Sequence, residues 1–257
     1  MNSQNAVSNI NNIQTTYLTE RLRTGLRLAP ACQVGADIGS DHGKMAVTLL
    51  QHNICKRVIA TDISAPSLAK ARKAARTFGL EEYLDLKVGN GLFPIEKEEV
   101  DIAIIAGMGG ELISKILLEG DAIARSMKGL LLQPMQHAAR LRFYLRSHEW
   151  RIEDESICRE GRRVYEWMRI APGTADNYPA EFEHPENEPG VIDEIGPLLF
   201  QRKDPLAIER LRFRQKTWQR EYELARRGMT DAAGKTAAGL KHRVIEAAAA
   251  LHVLETR

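Results

Sequence analysis

The most constraining segment of this chain is Ala36-Asp37-Ile38-Gly39-Ser40-Asp41-His42-Gly43. It follows a short apolar run and precedes a helical pattern, the junction at which a doubly wound α/β sheet opens its ligand crevice. Around it, from Gln33 to about Pro134, short apolar runs alternate with helical stretches, as parallel strands buried on both faces require. The spacing predicts strands over Val34–Ile38, Val58–Thr61, Leu84–Val88, Asp101–Ala106 and Gly129–Leu132. It predicts helices over Lys44–His52, over Ala65–Phe78 with Ser64 as its cap and Pro66 in its first turn, and over Gly110–Leu118. A further helix is expected over His137–His148. Arg151–Cys158 and Arg163–Ile170, with Glu160-Gly161 between them, read as an antiparallel hairpin at a sheet edge.

The flanks differ in character. Residues Met1 to Gln14 are rich in Asn and Ser and read as a loose tail without the basic start and apolar stretch of a signal peptide. Thr16–Ala29 carries Leu18, Leu22 and Leu26 on one stripe and Arg21, Arg23 and Arg27 on the other face, and Pro30 ends it, so it reads as an amphipathic helix. Between Ala171 and Pro197 lie five prolines and seven acidic residues with no Lys or Arg, a linker or a wrapping loop. Beyond it Leu211, Trp218, Tyr222 and Ala225, then Leu240, Val244, Ala247, Leu251 and Leu254, predict two helices joined near residues 228–234 as an antiparallel coiled-coil hairpin. The chain thus divides at 1–172, 173–197 and 198–257.

With 44% hydrophobic residues, 257 residues can bury a substantial core. The formal charge of +2, from 36 basic and 34 acidic residues, argues at face value against nucleic acid. It is a cancellation: the connector is wholly acidic, while residues 198–257 hold thirteen basic residues against seven acidic ones. Cys32, Cys55 and Cys158 show no metal or disulfide spacing, which fits a reducing cytoplasm and no metal. The longest apolar run, Ile102–Met108, is far below a membrane span. A cytoplasmic monomer without membrane contact is expected.

The loop excludes one cofactor class. A dinucleotide fingerprint needs glycines where Asp41 and Lys44 stand, so the NAD reading fails. What remains, Asp37-x-Gly39-x-Asp41-x-Gly43, is the acidic glycine loop of S-adenosylmethionine-dependent methyltransferases with its middle glycine replaced by Asp. That replacement is tolerable for a ligand with no pyrophosphate and with an ammonium and a sulfonium that favour a carboxylate. Asp62, followed by Ile63, ends the second strand, where a carboxylate can accept from both ribose hydroxyls. Gly89-Asn90-Gly91 ends the third strand and offers an Asn to the adenine edge. Ala106-Gly107-Met108-Gly109-Gly110 ends the fourth, letting backbone approach a ligand closely, with Met108 as filler. Each loop alone is an ordinary turn. Four of them, each at the carboxyl end of a strand, make the cofactor set, with Ser40 and Gly43 completing the first.

These stretches, with Leu92, Glu111-Leu112-Ile113, Leu132-Gln133-Pro134, Val164-Tyr165-Glu166 and the terminal helices, resemble the bacterial tRNA (adenine-22-N1)-methyltransferases, the TrmK family, over about Leu18 to Leu254. The resemblance implies a class I methyltransferase fold: a Rossmann-like, doubly wound, mostly parallel sheet with an antiparallel edge hairpin, plus the C-terminal helical hairpin. It implies S-adenosylmethionine as cofactor, methylation of N1 of adenine 22 in the D-loop region of tRNA, and Asp41 at the catalytic position. Two stretches depart from the family pattern. Gly43-Lys44-Met45-Ala46 stands where Ala-Tyr-Leu-Pro is common, and Met135 stands where Asn is common.

Adenine N1 carries a lone pair and no proton, so transfer needs alignment more than a strong base. Asp41 would accept a hydrogen bond from the exocyclic amine and stabilise the positive charge that develops, or alternatively cap the helix starting near Lys44. His42 is a base, a polar contact to the target or a structural residue. The flipped base is expected between the Gly107–Gly110 bend and Gln133-Pro134, with the Gln133 amide reading its edge. No stacking aromatic is assigned, because Phe93 and Tyr144 both suit a core. The tRNA surface is expected on the basic helix, through Arg212, Arg214 and Arg220 among Arg202, Lys203, Arg210, Lys216, Arg226 and Arg227. Arg140, Arg142, Arg146, Arg162 and Arg163 would extend it. Alternatives are a class I methyltransferase acting on another RNA or a small molecule, and a non-catalytic RNA-binding relative.

Overall fold

The computed structural model describes residues 18–174, 177–182, 184–228 and 230–256. The expected tail, Thr16 and Tyr17 of the first helix, and Asp176 and Glu183 of the acidic stretch lie outside the described residues. Helix α1 (Glu20–Leu28) starts where the Thr19 hydroxyl accepts from the Leu22 amide, and it buries Leu22, Leu26 and Leu28. Four strand-and-helix steps follow: β1 (Cys32–Ile38), α2 (Lys44–Gln51), β2 (Cys55–Asp62), α3 (Ala65–Thr77), β3 (Leu84–Val88), β4 (Ile102–Gly109), α4 (Gly110–Glu119), the short α5 (Asp121–Ala124), β5 (Gly129–Gln136) and α6 (Ala138–Ser147). Strands β6 (Trp150–Glu160) and β7 (Arg163–Pro172) form the hairpin.

One seven-stranded sheet results, in the order β3-β2-β1-β4-β5-β7-β6. The first five strands are parallel, and β7 runs antiparallel to both β5 and β6. Both faces are covered, as the continuous apolar runs require. Helices α4 and α6 bury Ile113, Ile116, Leu141 and Leu145 on one face. On the other, α1, α2 and α3 bury Leu26, Leu49, Leu68 and Ala71. The predicted strands and helices fall within a few residues of these elements. Sequence spacing did not show that Cys32 and Cys55 pair across β1 and β2, with their Sγ atoms 2.7 Å apart as free thiols.

The C-terminal region is more than a hairpin on a linker. Helices α9 (Pro205–Ala225) and α10 (Asp231–Glu255) pack antiparallel around Leu211, Trp218, Ala247, Leu251 and Leu254. The end of the acidic stretch joins that core: α7 (Val191–Ile195) and α8 (Pro197–Gln201) bury Val191, Ile192, Ile195, Leu199 and Phe200 in it. Asp193 is buried and accepts from the Gly190 amide at 2.9 Å and the Tyr178 hydroxyl at 2.8 Å. The prolines and acids of this stretch therefore wrap the body.

Buried charge ties these helices to the sheet. Arg142 is wholly buried and donates to Glu155 at 2.7 Å, to Glu166 at 2.6 Å and to the Asp193 carbonyl at 2.9 Å. Arg210 on α9 pairs with the other oxygen of Glu166. Burial pushes the Glu166 carboxyl up, but Arg210 and Arg142 outweigh it and hold the group below the usual carboxylate range. Burial dominates at Glu155, which sits above that range. The expectation that Arg142, Arg146 and Arg210 extend an RNA surface is overturned for this reason. The Arg142 guanidinium is enclosed and bound to Glu155 and Glu166, and those of Arg146 and Arg210, 15% and 21% exposed, are held inward by Asp193 and Glu166.

Candidate active site

The carboxyl ends of β1 to β5 open into a cavity of about 720 Å³, a size that suits a cofactor with part of a substrate. Its floor is the loop between β1 and α2. The Ser40 amide donates to the Thr61 carbonyl at 2.9 Å and the Gly89 amide to the Asp62 carbonyl at 3.0 Å, so the ends of β1, β2 and β3 are stitched into one rim. Gly39 has φ 69°, and a Cβ there would run into the Met108 methyl, which fills the space above the loop. A bulge between Ala106 and Met108 puts Gly107 at φ 80°, where a side chain is strained.

Asp37 braces the loop from below. It accepts from the Ser40 hydroxyl at 2.6 Å and from the Ala46 amide of α2 at 3.1 Å. Burial pushes its carboxyl up to about 6, against the two hydrogen bonds that lower it. A cationic group in the cavity beside it would favour its charged form. Asp62 takes the Asp41 amide on Oδ2 at 3.0 Å and the Ser64 amide on Oδ1 at 2.8 Å. Each oxygen keeps a lone pair for a hydroxyl donor. Ile63 is 74% exposed on the cavity wall beside it, an apolar plate for a flat ring.

Asp41 sits at φ 48°, and its carboxylate is 67% exposed and lines the cavity. Its Oδ2 lies 2.5 Å from His42 Nδ1, while Lys70 Nζ lies 3.3 Å from His42 Nε2. Lysine can only donate, so Nε2 accepts, and Nδ1 carries the proton given to Asp41. Asp41 does not cap α2: the cap position is Gly43, with no side-chain bond.

Most of the expected cofactor residues line this cavity: Asp37, Gly39, Ser40, Asp62, Ile63, Gly89, Asn90, Gly91, Ala106, Gly107 and Met108, together with Asp41 and His42. Three glycines do not. A Cβ at Gly43 would lie 2.5 Å from Ala71 Cβ, so that glycine lets α2 pack on α3. Gly110 is pressed against the His137 carbonyl, and Gly109 caps α4. The expectation that Gln133 reads a base edge is also corrected. Gln133 is fully buried, its Oε1 accepts from Arg21 at 2.8 Å and from the Gly107 amide at 3.2 Å, and its Nε2 donates to the Pro134 carbonyl at 2.9 Å. Neither it nor Pro134 faces the cavity. Phe93 is exposed away from the cavity, and Tyr144 stacks on His148.

Sequence reasoning placed Arg163 on the RNA surface but did not see the far wall, which it forms with Arg21, Leu112, Met135, Glu160 and Tyr165. The signal was the direction of β7: an antiparallel strand brings its beginning to the edge where parallel strands end. Arg212, Arg214 and Arg220 lie on α9, outside the cavity. Arg212 pairs with Glu255 at 2.9 Å, and Arg214 lies over Trp218 and 3.3 Å from Glu194. Among the described residues no cluster of His, Cys, Asp or Glu has a metal-holding arrangement, and no helix is long and apolar enough to cross a membrane.

Comparison with known proteins agrees with this geometry. Residues 18–168 match a family model described as a methyltransferase domain. The tRNA (adenine(22)-N(1))-methyltransferase of Bacillus subtilis is 31% identical over 193 residues, 75% of this chain and 79% of that protein. The crystal structure of the Bacillus subtilis m1A22 tRNA methyltransferase TrmK superposes with a TM-score of 0.81 at 27% identity, covering 91% of this chain and 98% of the other. A putative tRNA (m1A22) methyltransferase of Streptococcus pneumoniae, solved in complex with S-adenosyl-L-methionine, superposes with a TM-score of 0.73 at 26% identity, covering 91% of this chain and all of the other. With the methyltransferase domain matched over more than half its length, and that identity spread over three quarters of it, the chain belongs to the tRNA (adenine(22)-N(1))-methyltransferase family.

Proposed function

We propose that this protein is an S-adenosylmethionine-dependent tRNA methyltransferase that methylates N1 of adenine 22, working in the cytoplasm as a monomer. The observation that carries the reading is one continuous cavity with Asp62 and Ile63 at one end, Asp37 beneath its floor and the exposed Asp41 carboxylate in its middle. That order fits the cofactor: ribose hydroxyls on Asp62, adenine on Ile63 and the Gly89–Gly91 turn, and the cationic amino-acid end near Asp37. Bound there, S-adenosylmethionine supplies an electrophilic methyl group.

The chain's own residues do the rest. His42 occupies one oxygen of Asp41 and leaves the other for the adenine N6 amine. Lys70 holds the imidazole from behind, so the carboxylate is aimed before substrate arrives. N1 becomes cationic, and a carboxylate about 4 Å away stabilises that charge by roughly 1 to 4 kcal/mol between water and an effective dielectric of 20. Asp41→Asn is expected to lower kcat by about 10- to 100-fold and to leave cofactor affinity unchanged, measured by single-turnover methylation and calorimetry. Incubation of the protein with unmethylated tRNA and isotope-labelled cofactor, followed by nucleoside mass spectrometry, tests the whole reading. Labelled 1-methyladenosine is expected; another methylated nucleoside in its place sinks it.

A further inference from the structure

The cavity extends well past the half that suits a cofactor. Its lining passes along the sheet order from β3 and β2 through β1, β4 and β5 to β7. Six neighbouring strands span roughly 24 Å at about 4.8 Å per strand, more than one nucleoside with an amino-acid tail requires. The far end holds an aromatic side chain, a planar cation and two exposed apolar side chains. Met135, just beyond the last β5–β7 pair (Leu132–Met168), and Tyr165 of β7 both line this end. Met135 is 42% and Leu112 49% exposed on the same wall. Large apolar groups left open in a cavity are surface kept for a ligand.

Arg21 is held with unusual thoroughness for a residue on a terminal helix. Its amide donates to Glu160 at 3.0 Å, its carbonyl accepts from the Trp167 indole at 3.0 Å, and its guanidinium donates to Gln133 at 2.8 Å. That guanidinium lies 5.6 Å from the centre of the Tyr165 ring. Cation and ring therefore brace each other, and the buried Gln133 amide sets the angle of the cation. The amphipathic pattern placed Arg21 on the outward face of α1. The structure turns it inward, to the mouth of the cavity.

We infer that Tyr165 is the stacking surface for the target adenine and that Arg21 is the residue that positions it, so that α1 and the tip of the β6–β7 hairpin form the target-base subsite. The inference rests on the methyltransferase reading above. A base taken out of its stack needs a π-face to replace its neighbours, and an aromatic ring at a single-stranded site supplies one. Met135 and Leu112 close the sides, and Asp41, just past the end of β1, stands three strands in from β7 toward the cofactor half. Adenine is thereby presented with one edge toward Asp41. Arg163, at the start of β7, lies where the phosphate of the extruded nucleotide would pass.

The test is a set of full-length variants assayed on unmethylated tRNA carrying A22, with affinity for S-adenosylhomocysteine measured on the same preparations. Tyr165→Ala is expected to lower kcat/KM by about 10- to 100-fold, the scale of one lost base–aromatic stack, with S-adenosylhomocysteine affinity within twofold of wild type. Tyr165→Phe keeps the ring and is expected to retain most activity. Arg21→Met is expected to raise KM for tRNA more than it lowers kcat, and Arg21→Lys to recover part of the loss. The inference is overturned if Tyr165→Ala methylates at the wild-type rate, if Tyr165→Phe loses as much as Tyr165→Ala, or if cofactor affinity falls in step with activity. Wild-type protein that forms no 1-methyladenosine would instead overturn the functional reading, and this inference with it.

Discussion

At the scale of single residues, Asp37 shows how burial and function meet. Its carboxyl titrates at about 6 because it lies beneath the loop, against 3.8 for an ordinary aspartate. The folded state therefore holds a proton between those values that the unfolded chain has lost, and stability falls as pH rises from about 4 to about 6. Asp37→Asn keeps an oxygen for Ser40 and Ala46 and removes the buried charge. It is expected to raise stability by about 3 kcal/mol at pH 8 and by only about 1 kcal/mol at pH 4.5, read from thermal unfolding at the two pH values. The same charge serves the cationic cofactor. Affinity for S-adenosylhomocysteine, which keeps the ammonium, is expected to rise with pH up to about 6 and then level off, and Asp37→Asn to flatten that profile. The acidic position of this loop was legible in the sequence. Its perturbed titration was not, because that depends on the helices that bury it.

At the scale of elements, the same loop contains a glycine whose role only packing reveals. Gly43 matches the last glycine of the motif, yet it has φ 70° and faces Ala71 of α3, whose backbone Cα would lie 2.7 Å from an added Cβ. Gly43→Ala is expected to cost about 2 kcal/mol, enough to lower Tm by roughly 5 °C, through the strained φ and the displaced helix. Cofactor affinity should follow only as far as α2 moves. Strand and helix positions were legible because the apolar runs and caps are local signals. The tip of the β6–β7 hairpin was legible as a turn, and nothing local says that the turn lies over the cavity. That follows from β7 inserting between β5 and β6.

At the scale of the whole molecule, Glu166 joins the two halves, accepting from Arg142 on α6 and pairing with Arg210 on α9. Glu166→Gln leaves the buried Arg142 with Glu155 alone and the partly buried Arg210 without its nearest carboxylate, and is expected to cost about 3 kcal/mol. Hydrogen exchange should rise in α9 and α10 while β1 to β5 stay protected, which separates undocking from global unfolding. The basic arm that remains at the surface is smaller than the arginine count suggests, since Arg210 is bound inward and Arg214 is held by Glu194 and Trp218. Arg220 is exposed on α9. Arg220→Glu is expected to raise the tRNA dissociation constant several-fold and to reduce its salt slope by about one. An unchanged slope would remove that face from the RNA contact.

By itself the sequence determined the alternation of strands and helices, the four ligand loops at strand ends, and the family, because these depend on spacing along the chain. Tertiary structure alone decided which arginines are free and which are buried ties, that Gln133 is a brace for Arg21, and that Tyr165 shares a cavity with Asp41. Those outcomes rest on distances between residues on different elements, from 13 positions apart for Arg142 and Glu155 to more than a hundred for Arg21 and Gln133. Arg21 and Gln133 meet at 2.8 Å across 112 positions, and only the order and direction of the strands bring them together.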